Sequence, residues 1–371
     1  MDLGLSEQQD MLRRVARQFL EAECPTTVVR ELEQSDDGYS PETWDKMGGL
    51  GWLGLTIPSE YGGEGGSLID QVVLSEETGR SLLPSPLITS SVLSARIILL
   101  GDNEAQKNEL LGQIADGSII ITTANLEPNA NFHYHQLTTI ATKYPEGYKI
   151  NGTKFFVPYA NASSYIILPL SIDGGIYIVI VATNNPNVTI TPMESIGGCK
   201  QYEVHLEKAY IPFSGVLAGP DKGLNVFRKA LEWAILSECG QILGRAEKTL
   251  EMTVDYAKNR LAFGRPIGTF QAVQHRCADL RVGVDGLRQS LYQATSMMNS
   301  ELVCSEEIAI TKAYAGVVSK LATETGHSIF AGIAFATEHD MHLYTQRAKL
   351  SEAYLGDTDF HLDNLAEIIG S

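Results

Sequence analysis

The sequence predicts an α+β protein of three consecutive parts: helical over residues 1–120, a β-barrel or sandwich over 121–220, and a helical bundle over 221–371. Three observations predict it. Apolar residues recur at helical spacing near both ends. The middle carries short β-branched and aromatic runs separated by turn residues. The last part opens on one helical pattern, Val226–Lys258, of about 33 residues and roughly 50 Å, which is the length of a bundle helix.

In the first part, Ser6 with Gln9 reads as a cap before Met11, Val15, Phe19 and Leu20, and Pro25 ends that helix. Thr43–Leu50 reads as a short helix. Gly62, Gly63, Gly65 and Gly66 are too dense for helix or strand and read as a tight connector. They do not fit a Walker or Rossmann pattern, because no strand precedes them and no Lys follows. Helices resume at Gln71–Arg80, Ile88–Leu100 and Glu104–Ala115. In the middle, runs at Ile119–Thr123, Thr138–Thr142, Tyr148–Ile150, Tyr165–Pro169, Ile176–Val181, Val188–Pro192 and Tyr202–Ile211 read as strands. Asn151-Gly152 reads as a hairpin turn. The last part continues with helices near Phe270–Ser300, Ser305–Ser328, Asp340–Leu355 and Asp359–Ile369.

The chain has 371 residues, 44% hydrophobic and 20% charged, an ordinary composition for a soluble protein with a large core. Its net charge of −17 argues against nucleic acid or an anionic membrane as partner. An anionic ligand therefore needs a local basic pocket. Cys24, Cys199, Cys239, Cys277 and Cys304 are scattered without a CxxC pair, so no disulfide framework or zinc site is expected. His339 and His342 stand three apart without a carboxylate at ligand spacing, and no metal site is expected there. His133 and His135 are expected to face solvent. The N-terminal stretch is amphipathic, not a signal peptide, and no apolar run reaches the roughly 20 residues of a membrane span. A cytoplasmic protein is expected.

Chemistry concentrates between Tyr256 and Leu280, YAKNRLAFGRPIGTFQAVQHRCADL. A helix stops at Arg260, a Gly-Pro loop follows, and a second helix starts with Thr269 as N-cap. Arg260 and Arg265 flank Phe263 and Gly264. Two guanidinium forks beside an aromatic face suit a diphosphate carrying a ring. A buried aromatic elbow with solvated arginines fits the same residues.

Arg260, Phe263, Gly264, Pro266, Ile267, Phe270, Gln271, His275, Ala278 and Asp279 resemble the R-x-x-F-G-x-P-I-x-x-F-Q segment of acyl-CoA dehydrogenases. Trp52-Leu53-Gly54-Leu55 through Pro58 and Tyr61 to Gly65, the string Y-x-I-N-G-x-K at 148–154, and the tail EHDMHLYTQRAK are similar to the same family, and the resemblance covers nearly the whole chain. It implies helical, β and helical-bundle domains. It also implies FAD-dependent α,β-desaturation of an acyl-CoA thioester, electron-transfer flavoprotein as acceptor, and an oligomer. Arg260, Phe263 and Gln271 match residues that lie on the ADP half of FAD, serving a neighbouring subunit's flavin. Gly332 is the one glycine kept of a Q-x-x-G-G-x-G segment at 328–334. Glu127 and Pro128 are kept from a T-E-P-x-A-G-S-D turn, in which Leu126 replaces the Thr and Asn131 and Phe132 replace small residues. Phe156, Val157 and Pro158 stand for W-I-T, so the last hydroxyl is lost.

The family's carboxylate base falls, in its two alternative positions, on Leu355 and Ala234, neither of which accepts a proton. Glu238, one turn from Ala234 on the apolar stripe of the long helix, is the candidate base; a Glu paired with a nearby Arg fits the same position. The tail AKLSEAYLGDTDFHLDNLA resembles a branch whose members often act as one of two unlike subunits. Three readings follow: an enzyme with its own flavin, a non-catalytic companion that completes a partner's FAD site, and a flavin monooxygenase or oxidase on the same fold.

Overall fold

The computed structural model describes residues 4–128, 132 and 134–370. The expectations for Asn131, His133 and the His135 side chain fall outside what it describes.

The first part contains α1 (Glu7–Glu23), α2 (Thr26–Gln34), α3 (Pro41–Gly49), α4 (Leu68–Arg80), α5 (Ala95–Leu100) and α6 (Glu104–Asp116). The Ser6 hydroxyl accepts from Gln9 N while Gln9 Oε1 accepts from Ser6 N, closing the predicted capping box on α1. The helix expected from Ile88 begins as a π-helical segment, Ile88–Ser94, and becomes α only at Ala95. Its hydroxyls explain the wider coil. Ser90 Oγ accepts from Ile121 N and Thr89 Oγ1 from Thr123 N, so the turn is bonded sideways to the first strand. The glycine cluster is the connector it reads as: a Cβ on Gly63 would stand 2.1 Å from the Ile57 carbonyl oxygen.

The middle is one eight-stranded mixed sheet, in the order β6-β7-β3-β2-β4-β5-β8 with β1 on β4. Its strands are β1 (Ile121–Thr123), β2 (Ile140–Tyr144), β3 (Gly147–Pro158), β4 (Tyr165–Ile172), β5 (Gly175–Ala182), β6 (Val188–Met193), β7 (Gln201–Pro212) and β8 (Val216–Ala218). The expected Asn151-Gly152 turn is a correction. Both residues lie inside β3, and the reversal falls between Tyr144 and Gly147. The β3–β7 register shifts at Ile150/Asn151, and Asn151 Oδ1 accepts from Lys208 N at 2.9 Å. The pair thus forms a bulge rather than a turn. Gly152 is needed because a Cβ would stand 2.5 Å from Thr139 Oγ1.

The last part contains α7 (Gly223–Asn259), a two-stranded ribbon β9 (Leu261–Ala262) and β10 (Arg265–Pro266), α8 (Gln271–Asn299), α9 (Ser305–Phe330), α10 (Met341–Ala353) and α11 (Thr358–Ile369). The N-cap of α8 is Phe270, without a side-chain bond; Thr269, expected there, instead donates its hydroxyl to the Pro266 carbonyl. Helix α7 is the axis of the molecule. At its crossing with α4 the backbones touch: a Cβ on Gly79 would stand 2.1 Å from Gln241 O, and one on Gly244 1.9 Å from Glu76 O. Buried Val72, Ile121, Ile167, Leu236, Leu287 and Val318 belong to one apolar cluster, so all three parts share a core. Among the described residues, no helix is long and apolar enough to cross a membrane.

Candidate active site

Two cavities meet at the Tyr354–Leu355 turn, between α10 and α11. The inner one, about 80 Å³, is lined by Tyr354, by Leu82 to Thr89 before and within the π segment, by Pro158 and Tyr159 at the end of β3, and by Glu238, Gln241 and Arg245 of α7. The outer groove, about 690 Å³, is lined by Leu355, Phe132, Leu231 and Ile235, with Arg228, Glu232 and Glu367 as charged groups. Ile235 and Glu238 are three apart on α7, hence neighbours on one face. One helix therefore serves both cavities.

Leu355 is buried and holds φ +61°, followed by Gly356 at +98°. The turn is fixed from α11, where His361 Nε2 lies 3.0 Å from the Leu355 carbonyl oxygen. Burial lowers the His361 pKa to about 4. The imidazole is therefore neutral at pH 7 and its Nε2–H donates. Ala234 is fully buried in the core. Neither usual base position can take a proton.

Glu238 is the one carboxylate among the lining residues of the inner cavity. Its Oε1 receives Arg245 Nη2 at 2.9 Å. Arg245 also donates to Ser351 Oγ at 2.5 Å and to Gln241 Oε1 at 3.3 Å. The sequence alternative of a Glu paired with a nearby Arg describes this contact. In the outer groove, Glu232 accepts from Ser305 Oγ at 3.2 Å, and burial raises its pKa. Sequence reasoning passed over Glu232; its i−6 spacing from Glu238 gave no signal.

The residues matched to FAD separate into two places. Phe263 and Gly264 form the two-residue tip of the β9–β10 ribbon, both left-handed at φ +53° and +78°, as a type I′ turn requires. Phe263 is 95% exposed. Arg265 lies over the Phe270 ring, 4.3 Å from its centroid. Arg260, Gln271 and Gly332 are exposed, and none of the cavities described here includes them. These forks and the exposed ring present the donor chemistry of a diphosphate-nucleoside site on the outside of the chain, and so fit the ADP half of FAD.

The ring half fits less well. Leu126 gives its carbonyl to Phe155 N at 2.9 Å. Pro158 has no N–H, and its carbonyl accepts from Thr122 Oγ1. Pro128 is exposed. Glu127 is fully occupied: Oε1 takes the Lys154 ammonium at 2.7 Å and Thr139 N at 3.0 Å, and Oε2 takes Thr138 N and Oγ1. Burial alone would raise its pKa; Lys154 and these donors outweigh burial and hold it at about 2. Glu127 thus locks β2 to β3. The hydroxyl a ring edge would use is lost at Leu126 and Pro158, whereas Phe156, 45% exposed, still offers a face.

Among the described residues, no group of three or more His, Cys, Asp or Glu could hold a metal ion. His339 Nδ1 instead accepts from Met341 N.

Helical ends on a mixed sheet, with cavities at the turn after α10, define the class. The family model for the acyl-CoA dehydrogenase C-terminal domain matches residues 221–370, and that for the N-terminal domain matches 6–118. The chain belongs to the acyl-CoA dehydrogenase family. It is 29% identical over 370 residues to the probable acyl-CoA dehydrogenase YngJ of Bacillus subtilis, covering 97% of each chain. It is 27% identical to subunit CarC of the caffeyl-CoA reductase-Etf complex of Acetobacterium woodii, over 95% of each. It superposes on the ChsE4-ChsE5 complex of Mycobacterium tuberculosis with a TM-score of 0.93 and 26% identity, covering 100% of this chain and 99% of that one. Members of this family are FAD flavoproteins that act on the CH–CH bond of acyl-CoA thioesters.

Proposed function

We propose that this chain desaturates an acyl-CoA thioester between its α and β carbons, with the acyl group in the inner cavity and the CoA arm in the outer groove. The observation that carries the reading is Glu238, the single carboxylate among the residues lining the inner cavity, next to the turn whose usual base position is Leu355. Glu238 accepts the α-proton as the C–H bond breaks and the double bond forms. FAD, when bound, supplies the acceptor for the β-hydride. Arg245 holds the Glu238 carboxylate in place, and Leu355 and Ile235 close the groove side with apolar surface.

Arg260, Phe263, Gln271 and Gly332 bind the ADP half of FAD. Their outward orientation, and the occurrence of the ChsE4-ChsE5 complex among similar structures, support a flavin held between two subunits of an oligomer. CarC, a subunit of an Etf complex, supports electron-transfer flavoprotein as the electron acceptor. A second reading is favoured by Leu126 and Pro158: the chain is the companion that completes an unlike partner's FAD site.

One experiment separates these readings. The chain is purified alone and then with an unlike relative, and FAD content and flavin bleaching by acyl-CoA are measured. A catalytic chain carries about one FAD per subunit and bleaches on adding thioester. Glu238→Gln then keeps the FAD and slows bleaching by about 10²–10⁴-fold, the usual contribution of a general base. A chain that turns yellow only with its partner, and loses the colour on Arg260→Ala, is the companion.

A further inference from the structure

The inner cavity carries polar groups that an alkyl chain cannot satisfy. Arg245 Nε, Arg347 Nη2 and the Ser85 hydroxyl are buried without a hydrogen bond, and the Tyr159 hydroxyl has only the weak sulfur partner Cys199 beside it. All four residues line the cavity. Arg347 Nη2 lies 3.1 Å from Glu33 Oε1, but in a geometry that gives neither atom a hydrogen bond. The other arm of Arg347 is spent on the Gly197 carbonyl and Cys199 Sγ, at 2.5 and 2.8 Å. Guanidinium nitrogens only donate. A buried donor left unmade costs about 1–3 kcal/mol. Two in one cavity call for an acceptor that arrives with the ligand.

The local charge agrees. Arg245, Lys312 and Arg347 are buried, at 6%, 1% and 3% exposure. Glu238 pairs with Arg245, and Glu33 lies beside Arg347. The Lys312 ammonium donates to the Ser351 and Glu352 carbonyls, at 3.0 and 3.3 Å. No ion pair to it is found among the described residues. Further out, the Glu352 carboxylate is paired with Lys349, and Asp357 caps α11 from the surface. Arg245 and Arg347 thus line the cavity against one lining carboxylate, Glu238, while Lys312 and Glu33 stand outside the lining and offset each other in charge.

We propose that the acyl group taken into this cavity ends in a carboxylate, so that the substrate is a short dicarboxylic acyl-CoA thioester. Its far carboxylate receives Arg245 Nε, Arg347 Nη2 and the Tyr159 hydroxyl, and it balances the charge. The small volume keeps the carbon spacer short. The inference rests on the acyl-CoA reading above.

Isothermal titration of the full chain tests it with three pairs of thioesters of equal carbon count: succinyl- and butyryl-CoA, glutaryl- and valeryl-CoA, adipyl- and hexanoyl-CoA. In at least one pair the dicarboxylic member binds on the order of 10–100-fold more tightly, the equivalent of one or two satisfied buried donors. Arg245→Gln removes that preference. Tyr159→Phe, which deletes one hydroxyl and keeps the shape, weakens the dicarboxylic member alone by about 3–10-fold. Tyr159→Phe also decides the matter if Arg245→Gln does not fold. If every alkyl member binds as tightly as its partner, the inference is overturned while the acyl-CoA reading stands. If no member of any pair binds, both fall.

Discussion

Ala331 and Gly332 occupy each other's natural places. Ala331, just past the end of α9, holds φ +56° and ψ −139°, a region that L side chains enter at a cost of about 1–3 kcal/mol. Gly332 is not left-handed, and a Cβ there would meet nothing within 4 Å. Ala331→Gly should therefore stabilise the fold by about 1 kcal/mol after the added chain entropy of glycine. In thermal unfolding this reads as a midpoint raised by roughly 1–3 °C. Gly332→Ala should leave the midpoint unchanged or slightly higher. An Ala331→Gly variant that melts below the parent would show that this conformation carries no strain. Sequence matching located the Ser328–Ala334 segment but could not say which of its small residues bears the turn, because φ is set by where α9 stops.

At the scale of elements, α11 is the latch of the site. Its contact with the Tyr354–Leu355 turn is the bond from His361 Nε2–H, and burial rather than this bond is what opposes protonation of the ring. The pKa of His361 falls on folding, from about 6.5 to about 4. Between those values the unfolded chain binds more protons than the folded one, so stability rises with pH. The contribution is complete above about 6.5 and is lost as pH drops toward 4, with an upper bound of order 3 kcal/mol. Unfolding midpoints measured from pH 7 to pH 4 should decline over this window. His361→Gln, which keeps a donor but does not titrate there, should flatten the decline. Equal slopes for both proteins would remove His361 from the account. The histidine was visible in the sequence only as one of several near the C-terminus. What sets it apart is burial, which spacing does not reveal.

At the scale of the molecule, the helical–β–helical order was legible because periodicity is a local property, whereas the course of β3 was not. Asn151-Gly152 has ideal hairpin chemistry, yet the sheet draws it into a bulge through contacts with Thr139 and Lys208. The charges of the inner cavity escaped for a related reason. Arg245 and Arg347 line it from α7 and α10, Tyr159 from just past β3, and Glu33 and Lys312 stand close by on α2 and α9, so no window of sequence contains two of them. The exposed motif residues were the easiest to find. Their exposure has a molecular meaning: Phe263, Phe335, Val282 and Leu261 are 95%, 73%, 70% and 65% exposed, an uncommon load of apolar surface for a chain that stays alone. Sedimentation velocity should give a species of at least two chains, alone or with an unlike relative. Phe263→Ser with Phe335→Ser should shift it toward the single chain. A single-chain species at every concentration, with and without a relative, would count against this assembly.

The backbone contacts of Gly79 with Gln241 and of Gly244 with Glu76 set a design limit. A spot weld at the crossing of α4 and α7 leaves no lubricating side chain between them, so neither helix can slide to widen the chamber beside Gln241 and Arg245. Selection for bulkier substrates must therefore work on the removable lining, Leu82, Leu83 and Leu350. Changes at the weld itself would unseat the wall before they enlarged the room.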